Sequence, residues 1–122
     1  MVTSITSFGR SGLYDWVVQR VSAVILLAYI LFLVAVFIKF PDMQYGNWQA
    51  IFAKTWVRIF SLISLTALCA HAWIGMWTIA TDYLTPMTLG AAATKVRFVF
   101  QLACLIILLT YFFWGVQILW SI

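Results

Sequence analysis

The sequence predicts an all-α integral membrane protein built on three transmembrane helices, and three observations carry that prediction. Of the 122 residues, 66% are hydrophobic and only 8% charged. A soluble domain carries about 25% charged residues, so too little polar surface remains here to face water. Three long runs are free of acidic and basic side chains, and each reaches the roughly 20 apolar residues that a helix needs to cross about 30 Å of hydrocarbon. No segment alternates apolar and polar residues in the manner of barrel strands. A chain of this length holds one domain. Residues 1–122 are therefore read as a single membrane-embedded domain, with spans over about residues 16–39, 57–84 and 96–120.

The first span lies between Arg20 and Lys39, which bracket the uncharged run "VSAVILLAYILFLVAVFI". The segment before it, "MVTSITSFGRSGLYDWVVQR", is mixed and partly polar, and "SGLYDW" is expected to form a short amphipathic lead-in at the interface. A cleaved signal peptide has an apolar core of about 7–15 residues and ends at a small-residue site. This core is longer and ends at "KFPD", so it is read as a span kept in the mature protein. The first loop, "KFPDMQYGNWQAIFAK", has Pro41 and Gly46 as breakers, and Tyr45 and Trp48 suit a membrane–water boundary.

The second span lies between Arg58 and Asp82, with His71 as its one potential charge. The second loop is "DYLTPMTLGAAATK". Pro86 cannot donate to a helical ladder, and the residue before a proline is steered away from the helix, so Leu84 and Thr85 are expected as the last turn. After Arg97 the rest of the chain is uncharged and forms the third span.

The net charge of +4 reflects seven basic residues against three acidic ones, and the basic residues all lie outside the longest apolar runs. They read as membrane-edge anchors and not as a nucleic-acid patch. Three spans place the N-terminus and the second loop on one side, with Arg10, Arg20, Lys95 and Arg97. Lys39, Lys54 and Arg58 lie on the other. The positive-inside rule then puts the N-terminus in the cytoplasm and the C-terminus in the periplasm. Cys69 and Cys104 each sit in an apolar run without a C-x-x-C pair, which fits small buried hydrophobes. Any iron–sulfur chemistry belongs to another chain. Phosphate loops, nucleophile triads and dinucleotide fingerprints are missing from the sequence.

At about 100° per residue, Ser64, Ala67, His71, Gly75, Thr78 and Asp82 fall on one stripe of the second span, with Trp73 and Trp77 on the far side. Small residues let helix backbones approach, and Ser and Thr bond across helices, so packing explains most of the stripe. It explains His71 less well, because an ionisable group at mid-bilayer is costly and marks a pathway, a ligand or a paired charge. A neutral imidazole is a common haem ligand, and Gly75, one turn along, would leave room for a flat macrocycle. A lone histidine can also relay protons, but Asp82 lies about 16 Å further along the helix at 1.5 Å per residue. A haem bound by two histidines would need its second from another subunit, because this chain has one histidine. Tyr83 can donate a hydrogen bond to a carbonyl and Asp82 can orient it; an aromatic belt with an acidic edge accounts for the pair equally.

The stretch "HAWIGMWTIATDY" closely resembles the second-span motif of a hydrophobic membrane-anchor subunit of bacterial succinate dehydrogenase, the respiratory complex II. The N-terminal "GRSGLYDWVVQR" looks like that family's start, and length and three-span layout match along nearly the whole chain. The pattern H-x-W-x-G-x(6)-D-Y is fairly specific; the third span is only generically apolar. The resemblance implies that His71 is the axial ligand of haem b, whose iron takes its other ligand from the companion membrane-anchor subunit. It implies that Arg20 lies near the haem propionates, that Tyr83 hydrogen-bonds the ubiquinone head group, and that Asp82 shapes that quinone site. Arg10 carries no assigned role, nor does Tyr14, where some relatives have histidine. The implied partners are a flavoprotein subunit with covalent FAD, an iron–sulfur subunit and the second membrane-anchor subunit, which completes the helix bundle in the bacterial inner membrane. A quinol:fumarate reductase anchor is the close alternative. A small transporter or channel subunit using His71 and Asp82 is the alternative from another class, and its polar residues are too few for a continuous path.

Overall fold

The structure, a computed structural model, describes residues 12–122. Arg10 and the start of the N-terminal segment lie outside the described residues. Helix α1 spans Gly12–Lys39, α2 Tyr45–Phe52, α3 Thr55–Tyr83, α4 Pro86–Leu89 and α5 Ala93–Ser121, with a 3₁₀ turn over Gly90–Ala92. The described residues contain no strand. Three helical stretches are long and apolar enough to cross a membrane: Gly12–Lys39, Thr55–Tyr83 and Pro86–Ser121. The all-helical, three-span architecture expected from composition is the one observed.

Two local features differ from the sequence reading. Of "SGLYDW", the described residues 12–16 form no separate element, because α1 runs unbroken from Gly12, with Asp15 in the first turn where a carboxylate favours the helix dipole. The first loop contains helix α2. Gly46 lies inside it and does not break it. The Gln44 backbone N–H donates to Asn47 Oδ1 at 3.3 Å at its start, and Trp48 stacks on Phe52 at 4.3 Å and on Phe37 of α1 at 5.8 Å. Ring packing outweighs the modest cost of one helical glycine, about 1 kcal/mol.

The turn after α3 is tightly built. Helix α3 ends at Tyr83, and Leu84, its cap, donates its N–H to the Ala80 carbonyl at 3.1 Å. Thr85 therefore belongs to the next element: its N–H donates to Thr88 Oγ1 at 3.2 Å, and Pro86 opens α4, where a missing N–H costs nothing. Gly90 has φ of 63°, the left-handed region that only glycine enters freely, and it turns the chain toward α5.

Helix α3 is the central element. Helices α1 and α5 each pack along it, with little direct contact between them. Both neighbours run antiparallel to it. On one side Ser22 meets His71 and Tyr29 meets Ser61. On the other Arg97 meets Leu84, Cys69 meets Leu108 and Arg58 meets Ile122. The second side is tight at Gly115, where an added Cβ would stand 2.6 Å from Leu65 Cδ2. The chain thus forms an open row of three helices. Its small core of Phe52, Val57 and Leu119 lies at the α2 end. An apolar trough of about 560 Å³ lies between α1 and α5, floored by Cys69, Ala70 and Trp73.

Candidate functional site

The small polar stripe of α3 faces α1. Ser61, Ser64 and Ala67 are buried there, where short side chains allow close approach. Tyr29 Oη and Ser61 Oγ share a hydrogen bond of 2.6 Å. Gly75 faces Gln19, whose Nε2 lies 3.7 Å from where a Cβ would be, so the space before this glycine is taken by α1 and not left open for a macrocycle. His71 is half-buried, and its Nδ1 lies 3.1 Å from Ser22 Oγ. Nε2 is the ring nitrogen left for a ligand.

Beside this contact is a groove of about 420 Å³, lined by Asp15, Trp16, Gln19, Arg20 and Ala23 of α1 and by His71, Ile74 and Thr78 of α3. The Arg20 guanidinium lies over the Trp16 ring, 5.3 Å from its centre, a cation–π placement that holds the charge at the groove wall. His71 and Arg20, assigned to one cofactor by family resemblance, therefore share one groove. Asp15 shares it too. Asp82 is remote from His71 along α3, but antiparallel packing of α1 sets the Asp15 carboxylate in the same groove.

Asp82 and Tyr83 do not line this groove. Both are exposed at the end of α3, Tyr83 at 69%. Their backbone is well fixed: the Tyr83 carbonyl accepts from Thr88 Oγ1 at 2.8 Å, and the Leu84 carbonyl accepts from Arg97 Nε at 2.6 Å. The turn thus presents the phenol outward from a rigid support. Trp73 and Trp77 face α5, where they line a separate groove with Arg97 and Gln101.

Sequence reasoning missed Ser22, Gln19 and Asp15. Their signal is readable in hindsight, since positions 15, 19 and 22 follow i, i+4, i+7 spacing and form one polar face on an otherwise greasy helix. Gln19 Oε1 and Ser64 Oγ are buried without a hydrogen-bond partner, so the seam between α1 and α3 holds more polar capacity than it uses.

Fold and groove together define a helical integral membrane protein with a polar site between two of its spans. A family model described as "Succinate dehydrogenase/Fumarate reductase transmembrane subunit" matches residues 3–112. The chain is also similar to the succinate dehydrogenase hydrophobic membrane anchor subunit of Coxiella burnetii (strain RSA 493 / Nine Mile phase I), at 36% identity over 111 residues, covering 91% of this chain and 90% of that relative. The chain belongs to the succinate dehydrogenase/fumarate reductase transmembrane-subunit family, as a membrane anchor of an enzyme complex.

Proposed function

We propose that the chain anchors a succinate:ubiquinone oxidoreductase in the bacterial inner membrane, with its N-terminus in the cytoplasm. It binds haem b through His71 jointly with a second anchor subunit, and Tyr83 and Asp82 contribute to the site where ubiquinone is reduced. The observation that carries this reading is the His71 groove. One ring nitrogen is held by Ser22 and the other is free, and Arg20 stands in the same groove.

The residues present fit a haem. Histidine nitrogen is its common axial donor, Arg20 can form charge-assisted hydrogen bonds to a propionate, and Ala23 and Ile74 add apolar wall. Haem, when bound, supplies a one-electron carrier. The lone histidine requires a second histidine ligand to come from the partner anchor subunit. FAD and iron–sulfur chemistry reside on the flavoprotein and iron–sulfur subunits, and this chain carries no dehydrogenase chemistry of its own. The exposed phenol of Tyr83 can donate to a quinone carbonyl at the membrane edge, with Asp82 beside it to orient that bond.

The test is a reduced-minus-oxidised absorption spectrum of the purified complex, wild type beside His71→Ala and Tyr83→Phe, together with succinate:ubiquinone reductase rates. His71→Ala is expected to lose or shift the b-type signal. Tyr83→Phe should keep the signal and slow ubiquinone reduction. A wild-type complex without b-type haem would remove His71 from the iron. An unchanged rate in Tyr83→Phe would return Tyr83 to the aromatic belt.

A further inference from the structure

A neutral imidazole carries one N–H, on either of its nitrogens, and the partner of one nitrogen decides what the other can do. Here the deciding partner lies on α1. Ser22 is buried, 4% exposed. Its hydroxyl donates to the Gln19 carbonyl at 3.0 Å. A carbonyl has no hydrogen to give, so while Ser22 Oγ donates to Gln19 its single hydrogen is not available to His71. The same oxygen lies 3.1 Å from His71 Nδ1. With the hydroxyl so placed, a hydrogen on Nδ1 completes that contact, and Nε2 then keeps its lone pair.

We propose that Ser22 is a positioning residue for His71: it holds the ring as the Nδ1–H tautomer and fixes its plane, so that Nε2 is presented as a ligand. The proposal rests on the haem reading above for the identity of what Nε2 binds. A metal-bound histidine donates its other N–H to an oxygen acceptor, which orients the ring and raises its basicity. Ser22 supplies that acceptor from the neighbouring helix, where burial keeps water from competing for the ring. Ring orientation is thereby tied to the register between α1 and α3. A serine kept only for close helix packing makes a different prediction, because alanine would serve as well.

The assembled complex provides the first readout, with Ser22→Ala and Ser22→Thr beside wild type. A redox titration follows the b-type signal, and low-temperature EPR follows the ferric form. Loss of the acceptor makes His71 a weaker donor to the ferric iron. The midpoint potential should therefore rise in Ser22→Ala, the ferric g values should shift, and haem should wash out more readily; loss of such a partner costs about 10- to 100-fold in metal affinity. Ser22→Thr keeps the hydroxyl and should restore all three. Unchanged potential and g values in Ser22→Ala would overturn the proposal, as would a Ser22→Thr complex displaced as far as Ser22→Ala.

A second readout needs no haem. His71 is the one histidine in the chain, so ¹⁵N-histidine labelling of the full chain in lipid reports a single ring. Wild type should show Nδ1 protonated and Nε2 bare, and Ser22→Ala should show mixed tautomers. A wild-type ring protonated on Nε2 would overturn the proposal. An undisturbed haem signal in His71→Ala, with the Nδ1–H tautomer present in the labelled wild-type chain, would instead remove the haem reading and leave the tautomer control standing.

Discussion

Helix α3 has two sides that solve the same packing problem differently. Toward α1 it presents hydroxyls and small side chains, and the two helices are joined mid-span by Tyr29–Ser61 and Ser22–His71 hydrogen bonds. Toward α5 the middle is apolar. Gly115 brings the helices together against Leu65, and the strong polar contacts lie at the ends, where Arg97 and Arg58 donate to the main-chain oxygens of Leu84 and Ile122 at 2.6 Å. In lipid there is no hydrophobic drive between helices, so van der Waals fit and hydrogen bonds must hold them. The α5 side places fit in the middle and charge at the rim. The α1 side carries polar groups to mid-span, where they are costly unless they serve a further purpose.

That contrast can be broken by substitution. The largest effect on stability is expected from Gly115→Leu. A Cβ alone would push the end of the Leu65 side chain aside, and a branched side chain there is overpacking of the kind that costs about 1–3 kcal/mol. The purified complex should show a clearly lowered thermal midpoint. Arg97→Ala comes next, since a hydrogen bond from a charged group contributes about 1.5–3 kcal/mol when buried, and this one is only part-buried. Because the carbonyl it serves is that of Leu84, loosened backbone at Tyr83 should also appear as faster amide hydrogen exchange there. Tyr29→Phe should be mildest. Interhelical side-chain hydrogen bonds in membranes average about 0.6 kcal/mol, and a double-mutant cycle with Ser61→Ala should recover a coupling of that size. A Tyr29→Phe complex less stable than Gly115→Leu would reverse the contrast and make the α1 side the structural seam.

The three spans were legible because hydropathy and length act locally. The polar stripe of α3 was legible because helical periodicity is local too: Ser64, Ala67 and His71 share the face that the structure turns toward α1. Helix α2 was not, since Gly46 reads as a breaker until Trp48 is seen stacked between Phe52 and Phe37. The surroundings of His71 were hidden for a deeper reason. Ser22 lies 49 positions away in sequence, and nothing in either helix alone states the register that sets them opposite one another. Arg20 was joined to His71 through family resemblance and not through physics. Tyr83 and Asp82 were legible as the end of α3, and the structure leaves both exposed there.

The row of three helices has a consequence for assembly. A closed three-helix bundle has an interior, and whatever it encloses is its own. A row one helix thick is a partition with two faces and no inside. His71 is half-buried in the seam between two of its members, so on the haem reading proposed above a second wall laid against the first would reach it without any helix having to part.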